Sequence, residues 1–334
     1  MLHPLVLAIL ALDTVAALLL LAGAVVAVRV LIGWQPGDAH RAQLQLERRV
    51  ESASLQGRLA WGLWLMATLI WGIAIAGVLP NLVPGAMCGT GVMEAMGGHG
   101  GRALALRLIA LALLGGWHLI DRLDRSTPHG DLTEASARGL LLITPIALLS
   151  AWHTWGAFAR LDTQQPVDCC AVVYDAVAGS GGLLHGHPPE LWLWPTAIGA
   201  AMLLPLSLRA WRGRAGPMLG LLSPLWALVA GGALINVLAA YHYEVLHHHC
   251  PWCLFLAEHG RVGYPLFAAL AVIIAEGGAA WIASRVAKLR PALAPAAHRR
   301  IRRAGIALML ALAVYAWLAV WPALAWRLSR GVWM

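Results

Sequence analysis

Eight apolar runs, each long enough to cross a bilayer as a helix, constrain this chain more than any other feature of its sequence. A hydrocarbon core about 30 Å thick needs roughly 20 apolar residues in helical form, and within it every backbone N–H and C=O must find a partner inside the protein. The runs lie at 4–33, 59–84, 104–121, 139–160, 190–211, 219–242, 264–287 and 305–326. With 60% hydrophobic and 12% charged residues over 334 positions, the chain is too apolar for an ordinary water-soluble domain. The expected fold class is therefore all-α, a polytopic transmembrane helical bundle of about eight spans that forms a single integral membrane domain over 1–334. The first run is too long for the apolar core of a cleavable leader and lacks a basic segment ahead of it, so it is expected to remain as a span.

The net charge of +8 at first suggests nucleic acid, but the basic residues are scattered over short loops, with no aromatic-interleaved basic domain to hold a strand. No nucleic-acid partner is expected, and membrane lipid is the expected surrounding. Loops 35–58, 122–138, 212–218 and 288–304, with the adjoining helix ends, hold eighteen of the 24 Lys and Arg. The other side holds Arg102, Arg107, Arg160, Arg261, Arg327 and Arg330. The positive-inside rule assigns the first set to the cytoplasm and both termini to the outside. A bacterial inner membrane is the expected location, in keeping with the Arg- and Ala-rich composition. Segment 41–58 reads as a charged amphipathic helix on the membrane surface, and 288–303, with Pro291 and Pro295, as an anchoring loop.

No inter-span segment is long enough to fold alone, so chemistry must reside in helices and short loops. All five cysteines fall in the three outer loops: Cys88 in 85–103, Cys169 and Cys170 in 161–189, Cys250 and Cys253 in 243–263. Outside the cytoplasm, paired thiols either oxidise or are held reduced for a purpose. Cys250-Pro251-Trp252-Cys253 places two sulfurs within bonding reach, and a helix N-terminus there would lower the first thiol's pKa. Partial protonation of His247, His248 and His249 would favour the thiolate further.

Soft sulfur donors also suit Cu(I) or a similar ion. Cys169, Cys170 and Cys88, with His247 and His249, form the alternative metal set, and Met87, Met93 and Met96 flank Cys88. A structural disulfide is a third meaning of the same residues. The pair His185 and His187 is either a metal site or a solvated turn.

The run Cys250-Pro-Trp-Cys253-Leu-Phe, followed by Glu258, Arg261 and Tyr264-Pro265-Leu266, resembles the helix-entry motif of the disulfide bond formation protein B family. The likeness covers residues 250–266. Tyr264 and Arg261 stand displaced from the family's spacing, and the chain has twice that family's usual number of spans. Its members, like the analogous vitamin K epoxide reductases, pass electrons from protein thiols through a loop cysteine pair to the C-x-x-C and on to a quinone. The resemblance thus implies Cys250 and Cys253 as the quinone-proximal pair, Arg261 as a donor to a quinone oxygen, and Cys169, Cys170 and Cys88 as the loop thiols.

Polar residues inside spans are costly in lipid and should face the bundle interior: Asp13, His153, Asn236 and Glu276. Quinone reduction consumes two protons, which Glu276 or His153 could deliver, with Glu258 and His249 as further residues near a quinone. Gly277 and Gly278 would let another helix approach. His153 and His242 lie at similar outer depth, the minimum for a bis-histidine haem. The leading expectation is a membrane thiol:disulfide oxidoreductase that serves a soluble extracytoplasmic thiol protein and uses a quinone. The rivals are a copper-binding or copper-transfer protein and a non-catalytic subunit of a respiratory complex.

Overall fold

The computed structural model of the chain describes residues 3–35, 37, 40–127, 130–167, 188–214, 216–245 and 248–334. Among these residues every regular element is helical, and eight helices are long and apolar enough to cross a membrane. The protein is an integral membrane protein of about eight spans.

α1 (Pro4–Gly33) starts where local chemistry favours it. Pro4 occupies the first turn, and the Nδ1 of His3 accepts a hydrogen bond from the Leu5 N–H. α2 (Arg41–Ile73) begins in the same way, with His40 capping the N–H of Ala42. The charged segment 41–58 is therefore not a separate surface helix. It is the first half of a continuous helix that carries on into the second span. At its far end α2 widens into a π turn (Ala74–Val78) and tightens into a 3-10 turn (Leu79–Asn81). The short α3 (Gly89–Ala95) leads to α4 (Gly98–Asp124) and α5 (Thr133–Ala159).

The fifth and sixth spans are α6 (Pro189–Trp211) and α7 (Pro217–Ala233), the latter prolonged by a second π turn (Leu234–Leu238) and by α8 (Ala239–Tyr243). α9 (Gly263–Leu289) and α10 (Ala294–Arg330) complete the set. The segment read as an anchoring loop at 288–303 is a 3-10 turn at Pro291–Leu293 followed by the first turns of α10, because proline is tolerated in the first turn of a helix.

Within the chain the contacts separate two compact units. The first contains residues 1–78, 92–165 and 290–296, and in it α1, α2, α4 and α5 close a ring. The second contains 79–91, 166–289 and 297–334.

The first unit is organised around a charge that lipid cannot solvate. Arg107, counted from sequence among the outer-side residues, sits fully buried inside the bundle. Its NH1 donates to Asp13 Oδ1 at 3.0 Å, its NH2 meets Asp13 Oδ2 closely, and NH2 also reaches Thr154 Oγ1 at 3.0 Å. The guanidinium lies 4.7 Å from the ring centre of Trp71 and 5.4 Å from that of Trp64. α1, α4 and α5 are thereby pinned by polar bonds and α2 by cation–π contact. Asp13 faces the interior, as expected for a carboxylate in a span.

In the second unit Gly277 is a close-approach position, as is Gly220 against Trp281. A Cβ on Gly277 would lie 2.2 Å from Ser223 Oγ and 3.1 Å from the Leu219 carbonyl, so α9 can press on α7 only without a side chain. Gly278 meets nothing within 4 Å and plays no such part.

Removing one partner of a buried ion pair costs about 3–5 kcal/mol, whereas replacing both with apolar groups is often close to neutral. Asp13→Leu or Arg107→Met alone should therefore lower the unfolding midpoint in detergent sharply. The double variant should regain most of the loss. Equal losses in all three would show that the two charges do not act as a unit.

Candidate functional site

Three sulfurs meet in the second unit. Cys88 lies on the connection between the 3-10 turn at Leu79–Asn81 and α3, while Cys250 and Cys253 lie on the segment between α8 and α9. Their Sγ atoms all fall within 4.8 Å of one another, and Cys88 Sγ to Cys250 Sγ is 3.3 Å. None of the three is in a disulfide. Relative exposures of 2%, 2% and 8% put the cluster out of reach of bulk water.

Local chemistry holds each sulfur in place. Gly89, next to Cys88, packs against the indole of Trp252, the second residue inside the C-x-x-C. A Cβ on Gly89 would sit 2.6 Å from Trp252 Cδ2. Trp252 packs in turn on Phe255, and Phe255 stacks on Phe267 of α9 with ring centres 5.4 Å apart. The Tyr243 hydroxyl, at the end of α8, donates to the Cys250 carbonyl at 2.5 Å. The rings of His248 and His259 each stand edge-on to Tyr243 at 4.7 Å.

The Cys88 loop is anchored a second time. The Val167 N–H donates to the Pro84 carbonyl at 3.0 Å, and Gly85, at φ +76°, lets its backbone lie against Val167. Val167 is thus tied to the loop that carries Cys88. Cys169 and Cys170 themselves lie outside the described residues, as do His185, His187 and His247.

Cys250 is the central sulfur. Its pKa is held well below the ordinary thiol range, because its thiolate accepts hydrogen bonds from the thiol of Cys253, then from that of Cys88, and from the Thr90 hydroxyl, with Thr90 Oγ1 at 3.0 Å. Burial opposes this and is outweighed. Cys253 is correspondingly raised: it keeps its proton to donate to Cys250, its thiolate would also face the sulfur of Cys88, and burial adds to the effect.

Sequence alone suggests two other causes for an activated thiol, a helix start and neighbouring histidines, of which His247 lies outside the described residues. Cys253–Phe255 is a single 3-10 turn, and the long helix α9 starts only at Gly263, so no extended helix dipole points at Cys250. Burial holds the His248 imidazole below its usual range, which weakens it as a source of positive charge beside the thiolate. Thr90 and Tyr243 were not singled out from sequence. The only signal for Thr90 was a hydroxyl two residues after a cysteine in Cys-Gly-Thr.

The remaining candidates disperse. His249 Nδ1 bonds the Ile235 carbonyl at 3.2 Å, inside the π turn that ends α7. Arg261 and Glu258 are exposed, and Arg261 adopts a left-handed backbone at φ 54°. Glu276 is engaged by both terminal nitrogens of Arg300, at 2.6 and 3.0 Å, which occupies the carboxylate expected to carry protons. His242 Nε2 bonds the Leu318 carbonyl at 3.1 Å, so this ring is not presented to a haem iron. His153 belongs to the first unit, where it meets His99. Asn236 donates to the Gly232 carbonyl at 2.8 Å and lines a cleft of about 1090 Å³ in the second unit, walled by α6, the π turn and α10.

Comparisons with protein-family models, with curated proteins and with solved structures find no match to this chain.

Between pH 8 and pH 6 an ordinary thiol loses roughly 100-fold of its thiolate and of its alkylation rate. A Cys250 held ionised by its neighbours should lose little over that range. Peptide-resolved iodoacetamide kinetics on the reduced protein check this, and Thr90→Val should restore part of the ordinary pH dependence.

Proposed function

We propose that this protein is a membrane thiol:disulfide oxidoreductase that takes electron pairs from thiols of a soluble extracytoplasmic protein and passes them to a quinone. The observation that carries the reading is the buried cluster of Cys88, Cys250 and Cys253, with Cys250 in contact with both other sulfurs. Thiol–disulfide exchange needs an attacking thiolate, a bonded pair and a leaving sulfur close together.

In the oxidised enzyme Cys250 is bonded to one neighbour. If that neighbour is Cys253, the Cys88 thiolate attacks Cys250 Sγ, the Cys88–Cys250 bond forms and Cys253 leaves as a thiolate. A thiolate of the loop pair Cys169 and Cys170, reduced beforehand by exchange with the substrate dithiol, then attacks Cys88, forming a mixed disulfide and releasing Cys250. The other loop thiol resolves it, leaving Cys169 and Cys170 joined as a disulfide, which the next substrate dithiol reduces, and Cys88 as a thiol. Cys250 and Cys253 are now a dithiol. Transfer of two electrons and two protons to a quinone yields a quinol and re-forms the Cys250–Cys253 bond. Cys88 thus takes the part that the sequence resemblance gives to a loop thiol, and Cys169 and Cys170 are proposed to receive the substrate from the loop anchored at Val167.

The cleft beside α6 and α10 suits the quinone. At about 1090 Å³ it is large for a small-molecule site and apolar apart from a few polar groups, among them Thr196, Asn236 and Tyr241. Asn236 keeps its amide oxygen as an acceptor for a quinol hydroxyl, since its NH₂ is bonded to Gly232. The π turn bearing Asn236 is joined to the cysteines by the bond from His249 to Ile235, one peptide link from Cys250. Arg261 and Glu258, being exposed, are less suited to hold the ring.

A second reading has its own support: three sulfurs within 4.8 Å, one of them held as a thiolate, also make a trigonal site for Cu(I). Metal analysis of anaerobically purified protein separates the two.

The test of the main reading is redox trapping. Reduced protein mixed with a short-chain quinone should form a Cys250–Cys253 disulfide within the mixing time of the assay, detected by differential alkylation and mass spectrometry, and Cys250→Ser should abolish quinol formation. Cysteines that keep one redox state whatever the quinone supply would overturn the proposal. Asn236→Leu should raise the quinone KM about tenfold, the equivalent of one lost hydrogen bond, with Cys250 alkylation unchanged.

A further inference from the structure

A second cluster of ligating side chains lies in the first unit, apart from the sulfurs. His99, in the first turn of α4, and His153, near the end of α5, turn the same ring nitrogen toward one another, with Nδ1 to Nδ1 at 3.1 Å. Their ring centres are 5.0 Å apart and the planes are inclined by 48°. The fold makes room for this approach. Gly156, one turn beyond His153, is where the His99 ring rests, and a Cβ there would lie 2.6 Å from His99 Nδ1. Both rings are half-buried, and Trp152 and Trp155 beside His153 are exposed, as suits the interfacial zone of a membrane.

Two imidazole nitrogens at this separation have the bite of a chelate. With metal–nitrogen bonds of roughly 2.0–2.1 Å they subtend about 100° at a common ion, an angle suited to a three- or four-coordinate centre completed by other donors. Arg102 and Arg160 add positive charge near His99. That disfavours a dication more than a monovalent ion. Met93 brings a thioether to the same turn, since its Cε lies 3.5 Å from the Cβ position of Gly100, the residue after His99. Imidazole and thioether together suit copper in its reduced state.

We propose that His99 and His153 form a bis-imidazole binding site for Cu(I), with Met93 as the adjacent soft donor, independent of the cysteine cluster and of the role assigned to it. Gly156 is a positioning residue, because it lets the His99 ring reach the chelating position.

The experiment titrates the full chain in detergent with Cu(I) under anaerobic conditions against a colorimetric chelator, in a variant with all five cysteines changed to serine. About one equivalent should bind, and X-ray absorption should show nitrogen scatterers rather than sulfur alone. His153→Gln should abolish the binding, and Gly156→Val should weaken it at least tenfold. If the cysteine-free chain does not fold, the same His153→Gln change in the chain with its cysteines should lower the copper stoichiometry by one equivalent. A stoichiometry that His153→Gln leaves unchanged would overturn the proposal and leave an ordinary imidazole–imidazole hydrogen bond. Uptake of Zn²⁺ in preference to Cu(I) would overturn the choice of ion.

Discussion

A guanidinium buried among apolar helices can persist only if its charge is answered where it sits, and the first unit is arranged around that demand. Burying an ion costs several kcal/mol even after relaxation, so Arg107 fixes the position of whatever neutralises it. Asp13 does so from α1, Thr154 adds a bond from α5, and Trp64 and Trp71 of α2 turn their ring faces to the cation. Hydrophobic contact alone leaves transmembrane helices free to slide or rotate, because lipid tails are as apolar as leucine. The polar group supplies the registry. In the second unit Glu276 and Arg300 form the corresponding pair between α9 and α10, with both side chains only partly enclosed.

The π turns supply a different kind of order. A wider turn shifts the backbone bonding by one residue and frees carbonyl groups that must be satisfied in a medium without water. The Ile235 carbonyl, inside the second π turn, is bonded by His249, the residue before the central cysteine. An irregularity in a span thereby fixes a loop outside it. The second span ends in the same way, with a π turn at Ala74–Val78 before the loop that carries Cys88. Cys88 and the pair Cys250 and Cys253 thus each follow, in the chain, a span that carries a π turn toward its end.

Much of the architecture was legible in the sequence, because span length and hydropathy report directly on the solvent. The span limits of α1 and α6 match the apolar runs, whereas α2 and α10 run far past theirs. Their extra turns are rich in arginine, with Glu47 and Glu51 among them in α2, so an apolar count misses helix that continues past the apolar run. The convergence of Cys88 with Cys250 and Cys253 was legible only as a shared side of the membrane. Their meeting depends on Trp252 lying over Gly89, a contact between residues far apart in sequence. The groups that act on Cys250 were only partly legible for a related reason. Sequence offers neighbours along the chain, the histidines and a helix start, while the groups that act on Cys250 include Cys88 and Thr90 from another loop. Arg107 was misplaced because a lone arginine near a span end looks like a surface residue until its partner in another span is known.

Three sulfurs cannot all be satisfied by pairwise bonding. Whichever two of Cys88, Cys250 and Cys253 join, the third stands beside the bond with its lone pairs unspent. Any bond between two of them would therefore have a third sulfur within reach to displace it, and the packing around the trio would set which pairing is favoured.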